Sequence, residues 1–392
     1  MKRIIAAALM AALCLFAWPL AGAEQTQVEV FVARGAMERE TALHLLSLMQ
    51  SACPQAEWVA TFEEDAGLSL RELVLADRAP QIAICAPQEA LSWAKEGLLL
   101  PLDARVQGVE QMQEEVVNAC VLDESLFMAP LVARHRRVAV NGKMLGSMGL
   151  SYMLDQRAHP VWLPSELYQI VEEAAIAERL AMEMWLPEAE TAAGIEAFIQ
   201  SLYGGMIVTG EGNLTADSAQ MEASLTWMQN MARGGVMGIA EDREAALENF
   251  LRGETLMFID WTDAESAQYA RELSAEDFDL YEMPYPSADC LSVRSFELVG
   301  AAVFISHDAQ AMTLAAQGVA LLTGDLQAQS ALGSRGIWRD DAIWLPCLSA
   351  LPSGATLRSL FAQTVSAVLV EDRKPRDALR QFVSVYSAVM GQ

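Results

Sequence analysis

From Glu24 onward, short β-type runs alternate with stretches of helical period, and this alternation constrains the fold more than any other feature. Parallel strands joined by crossover helices satisfy it. Val28 to Ala33 (VEVFVA) reads as a first strand, after which Ala42, Leu45, Leu46 and Met49 recur on one face of a helix. Trp58 to Phe62 predicts a second strand, Leu68 to Ala76 a helix, and Ile82 to Ala86 (IAICA) a buried third strand closed by Pro87. A βαβαβ sheet is expected for this part of the chain.

Further along, a helix is expected near Val109 to Ala119, followed by a long extended segment, Leu126 to Val140, ended by an Asn141-Gly142 turn. Pro164 to Gly235 is mostly helical. Within it, Asp217 and Gln220 form a capping pair, Met221, Leu225, Met228 and Ala232 a buried stripe, and Gly234-Gly235 a stop. Leu256 to Asp260 and Leu298 to Ile305 read as strands, the second small and apolar enough for burial on both faces. Two helices close the chain. Leu357, Leu360, Phe361, Thr364, Val365 and Val368 share a face of one, and Leu379, Phe382, Val383 and Tyr386 a face of the other. Trp185 and Trp227 lie on helical stripes and are expected in the core.

Composition decides which classes survive. A chain of 392 residues exceeds one ordinary domain, and 53% hydrophobic residues are too many for disorder. A net charge of −26 opposes phosphate neutralisation, so no nucleic-acid partner is expected. The N-terminus has the form of an export leader: Lys2 and Arg3, an apolar run from Ile4 to Trp18, Pro19, and a small-residue cleavage pattern at Ala21-Gly22-Ala23. Cleavage after Ala23 and a periplasmic or extracellular location are expected. Cys14 follows Leu13 rather than a small residue, so no lipid anchor is expected. Cys53, Cys85, Cys120, Cys290 and Cys347 remain, widely spaced, as disulfides or as buried thiols.

Catalytic signatures are missing. The sequence has no Gly-x-Ser-x-Gly elbow, no His-Glu-x-x-His, no phosphate-cradling glycine loop and no calcium loop. His44, His135, His159 and His307 are scattered, and Glu63-Glu64-Asp65 and Asp340-Asp341 read as solvated turns. Neither catalysis nor a cofactor or metal is expected.

Five ordered stretches resemble the extracellular solute-binding proteins of ATP-binding-cassette importers, in the class related to maltose-binding protein. They are PQIAICAPQEALSWAKEGLLLPLD (Pro80 to Asp103), MAPLVARHRRVAVNGKML (Met128 to Leu145), ENFLRGETLMFIDW (Glu248 to Trp261), Leu298 to Gly333, and VLVEDRKPRDALRQF (Val368 to Phe382). Two departures stand out: Leu131 occupies a place where many sugar-binding relatives carry an aromatic residue, and Asp260-Trp261-Thr262-Asp263 replaces Gly-x-Trp.

The resemblance implies an α/β, periplasmic-binding-protein-like type II fold, with two lobes, a ligand cleft and hinge crossovers. After a leader at 1–23, the implied segments are 24–132 and 298–333 for lobe 1, and 133–297 and 334–392 for lobe 2 with the C-terminal helices. Ligands in open α/β sheets sit beyond the strand ends. The candidate ligand residues are therefore Arg34 (with Gly35), Gln88 (after Pro87), Leu131, Arg134, Trp261, Asp263, Arg335 and Trp338. Trp261 either stacks on a sugar or caps the core, and Arg34 either meets ligand or pairs with a nearby acid. The implied function is capture of a small solute, foremost a carbohydrate, by lobe closure, with delivery to permease subunits by a monomeric receptor. Alternatives are a polyamine, organic acid or metal chelate on the same scaffold, a sensor-associated binding protein, or an exported hydrolase.

Overall fold

The computed structural model describes residues 25–66, 68–153, 162–185, 193–208, 213–269, 278–288, 293–332, 337, 343–346 and 354–390. The leader and Arg335, Trp338, Cys290, Cys347 and His159 lie outside the described residues. The strands are β1 (Thr26–Val32), β2 (Ala56–Phe62), β3 (Ile82–Cys85), β4 (Val121–Leu122), β5 (Ser125–Leu126), β6 (Ala129–Asn141), β7 (Leu180–Trp185), β8 (Met237–Ala240), β9 (Thr255–Thr262), β10 (Leu280–Met283), β11 (Val293–Val303) and β12 (Ile343–Pro346).

The first three strands are parallel in the order β2-β1-β3, as the alternation predicts. The helix Arg39–Ala52 between β1 and β2 buries the four residues of its predicted stripe. Pro87 does more than end β3: it opens the helix Pro87–Lys95, where its fixed φ suits the first turn and its missing N–H costs nothing. Ser69 caps Leu70–Leu75 in a reciprocal box with Glu72.

Other boundaries moved for identifiable reasons. The helix expected at 109–119 divides into a short turn, Val109–Gln111, and a helix, Glu114–Asn118. The cap of Ala219–Arg233 is Ser218, whose hydroxyl accepts from Met221 N, so Asp217 stands one place too early. Gly235 takes the left-handed stop at φ 71°.

β6 joins the two halves of the molecule. Its Ala129–Arg134 portion runs antiparallel to β11, whereas Arg136 to Val140 pairs with β9 and Val138 to Asn141 with β10. The sheet continues from β11 to β3 on one side and from β9 through β7 to β8 on the other. The buried apolar residues accordingly fall into two separate cores. One gathers Val30, Phe31, Ile84, Leu131, Ala133, Phe296 and Val303; the other gathers Val138, Trp185, Phe198, Trp227, Met228, Phe258, Trp261, Phe361 and Phe382.

The chain passes between these cores in strands. β6 crosses between Ala133 and Val138, and β11 between Val293 in the second core and Phe296 in the first. The β11 crossing precedes residue 298 because the apolar run visible in sequence is only the doubly buried part of a longer strand. Ile337 belongs to the first core and Leu357 to the second. The helices Gly354–Leu369 and Pro375–Met390 close the second core through the predicted faces, with Phe361 edge-on to Phe382 at 5.8 Å. Among the described residues no helix is long and apolar enough to cross a membrane. Cys53, Cys85 and Cys120 are buried free thiols.

Candidate functional site

A cleft of about 1010 Å³ opens where the two cores meet. One wall comes from the β1 loop and following helix (Gly35 to Arg39, Thr41), from Phe62 and Glu64 after β2, and from Ser330 to Leu332. The other comes from Arg243 and from Thr262 to Glu265, and the strands β6 and β11 supply Val132 to Arg134, Arg136 and Glu297.

Strand geometry determines what reaches this cleft from the Arg134-His135-Arg136-Arg137 run. Side chains alternate across a strand, so Arg134 and Arg136 line the cleft while His135 and Arg137 do not. Arg134 is fixed toward the first core, its two terminal nitrogens donating to the carbonyls of Gly35 and Ala36 at 2.8 and 2.7 Å. Asp263 holds the same segment from the second-core side: Oδ2 accepts from the His135 backbone N–H at 3.2 Å, and Oδ1 pairs with Arg137. Arg137 also donates to Glu282 at 2.5 Å.

Below them lies a cluster of fixed charges. Asp260, fully buried near the end of β9, accepts from Arg136 Nη1 at 2.6 Å and from Arg243 Nε at 2.6 Å. Arg136 extends to Glu297 at 3.0 Å, and Arg243 to Glu265 at 2.8 Å and to the Asp260 carbonyl at 2.7 Å. Arg243 opens the helix Arg243–Leu251, capped by Asp242, and lies over the Phe258 ring at 5.2 Å. Burial alone would lower the Arg243 guanidinium, but Asp260 and Glu265 outweigh it and hold the group above the ordinary arginine range. Gly194, in the first turn of the helix Ala193–Tyr203, abuts the same carboxylate: a Cβ there would lie 2.3 Å from Asp260 Oδ1.

The sequence-predicted residues divide sharply. Arg134 and Asp263 are brought together at the cleft. Arg34 is exposed beside it and offers its backbone N–H to Glu63 at 2.7 Å, while neighbouring Gly35 forms part of the wall. Gln88 sits in the first turn of Pro87–Lys95, half-buried and off the cleft. Leu131 is a buried first-core residue and is not among those that line the cleft.

Trp261 is also a core residue, because β9 continues through Thr262 and the indole that seemed to lie past the strand end is inside it. Its ring packs edge-on against Phe250 and Phe258, and its N–H donates to Ser266 at 2.9 Å. Among the described residues Phe62 is the one aromatic side chain lining the cleft, and the Arg39 guanidinium lies over its ring at 4.5 Å.

Sequence reasoning missed Arg136, Arg243, Glu265, Glu297 and buried Asp260. A strand-period reading of Arg134 would have found Arg136. Nothing local announces that Arg243 reaches Asp260. Among the described residues no group of three or more His, Cys, Asp or Glu side chains could hold a metal ion.

No protein-family model matches the sequence, and no curated protein matches it. Solved structures do resemble the fold. A cyclic α-maltosyl-1,6-maltose binding protein from Arthrobacter globiformis superposes with a TM-score of 0.75 at 15% identity, covering 93% of this chain and 98% of the other. UgpB from Mycobacterium tuberculosis, in complex with glycerophosphocholine, gives 0.71 at 14% identity over 93% and 98%. An ABC substrate-binding protein from Listeria monocytogenes, in complex with cycloalternan, gives 0.70 at 11% identity over 94% and 100%. At such identities the likeness carries the architecture and not the ligand. The chain has the two-lobed α/β fold of the type II periplasmic binding proteins.

Proposed function

We propose that this chain is an exported, monomeric solute-binding receptor that captures a small polar solute in the cleft and delivers it to the permease of an ATP-binding-cassette importer. The observation that carries the reading is the 1010 Å³ cleft with one wall from elements packed on the first core and the other from β9 and the helix Arg243–Leu251 on the second, with the chain crossing between those cores in strands. A ligand touching both walls favours the closed arrangement by its differential contacts, which is the basis of capture by lobe closure. The leader supports export, and the similar structures support binding rather than catalysis: two are named as binding proteins and the third, UgpB, is in complex with glycerophosphocholine.

A carbohydrate is the leading solute, because one of the similar structures above is in complex with cycloalternan, another is named for binding cyclic α-maltosyl-1,6-maltose, and the cleft is rich in fixed donors and acceptors. Four arginines and five carboxylate residues line it, which favours a charged non-sugar solute as the second reading. A thermal-shift panel of sugars, amino compounds and organic anions tests the proposal, since a ligand at about 100 times its Kd stabilises the native state by about 2.7 kcal/mol. A stabilising sugar supports the first reading and a stabilising polyamine or acid the second. A panel without any stabilising solute counts against a receptor for these classes.

A further inference from the structure

Asp260 and Glu297 hold the two floor arginines in pairs that leave no net positive charge for an anion. Arg136 and Arg243 face three carboxylates, Asp260, Glu265 and Glu297, at 2.6 to 3.0 Å. Asp260 is fully buried and takes a guanidinium on each oxygen, and Glu297 remains 39% exposed beside the cleft. An anionic solute approaching Arg136 would have to displace Glu297 or sit beside it, and like charges that close repel strongly in a partly desolvated site. A hydroxyl group meets no such conflict, because guanidinium hydrogens and carboxylate oxygens serve its acceptor and donor sides together.

We infer that Asp260 and Glu297 set the cleft's charge selectivity, Asp260 as the positioning residue that aims Arg136 and Arg243, so that the cleft takes an uncharged, hydroxyl-bearing or cationic solute and rejects anions. This rests on the reading of the cleft as the solute site and decides between the branches left open there: organic acids and phosphates fall away.

The test is a gain of function that loss of stability cannot mimic. Inorganic phosphate is titrated calorimetrically into the full chain and into the Asp260→Asn, Glu297→Gln double variant, whose floor has two guanidiniums against one carboxylate. The wild type is expected to show no phosphate binding, and the double variant to gain affinity by at least about tenfold. Adding Arg136→Met should abolish that gain and thereby locate it at the cleft. If the double variant does not fold, Glu297→Gln alone, at a partly exposed position, should gain about threefold. Phosphate binding by the wild type at the cleft, or no gain in a folded variant, overturns the inference. The readout needs no native solute: a phosphate gain with an empty thermal-shift panel would uphold the charge selectivity while removing support for the receptor.

Discussion

Arg136 Nη2 stands 3.0 Å from Glu297 Oε2, and this pair ties β6, within its crossing between the cores, to β11 just past its own crossing. Its two ends are unequal. Arg136 is also bound to buried Asp260, whereas Glu297 is partly open to solvent. Replacing Arg136 by Ala strands a buried carboxylate with one guanidinium and should cost about 3–5 kcal/mol. Glu297→Gln should cost less than about 1 kcal/mol. Urea unfolding of the two variants checks this, and equal losses would contradict the asymmetry.

Gly194 gives a second handle on the same carboxylate. A methyl group at that position would lie 2.3 Å from Asp260 Oδ1, inside any tolerable contact, so Gly194→Ala should destabilise by about 1–3 kcal/mol through overpacking. Wild-type stability in a thermal melt of Gly194→Ala would show that the helix start does not press on Asp260.

Leu131 and Trp261 should behave as core residues. Leu131→Ala is expected to cost about 2–5 kcal/mol and Trp261→Ala about 3–5 kcal/mol in denaturant unfolding. Folded Leu131→Ala should keep wild-type affinity for whichever solute stabilises the protein. A tenfold loss of affinity would return Leu131 to the cleft.

The thiols provide a pH test. Burial holds Cys85 and Cys120 well above the ordinary thiol range, with the Glu89 charge adding to the effect at Cys85. A thiol raised in the native state contributes stability in full below its unfolded value, near about 8.5, and loses it as pH climbs toward the native value. The melting temperature should fall above about pH 8.5, and less steeply in a Cys85→Ala, Cys120→Ala variant. Identical slopes would contradict this, as would rapid alkylation of both thiols in the native protein.

The architecture was legible wherever local pattern and tertiary environment agree. The Ala42 to Met49 stripe is buried, the VEVFVA and IAICA runs are buried except for Glu29 and Ala86, and the terminal helix faces pack on the second core, as their periodicity predicts. The cleft lining was legible only where one rule sufficed: Arg134 and Asp263, which line it, lie near crossings and strand ends. Trp261 failed because a strand's last residues look like loop when they are aromatic and polar. Asp260 entered the sequence reading only as part of the Asp260-Trp261-Thr262-Asp263 departure, and its meaning depends on Arg243, 17 residues away in sequence, and on Arg136, 124 residues away. Such partnerships are made by topology, which no local pattern encodes.

Small-angle X-ray scattering during titration with a solute that raises the melting temperature tests the central claim most directly. Capture between two lobes predicts a radius of gyration that decreases saturably with solute and returns on dialysis. An unchanged radius at saturating solute would contradict capture by closure across this cleft.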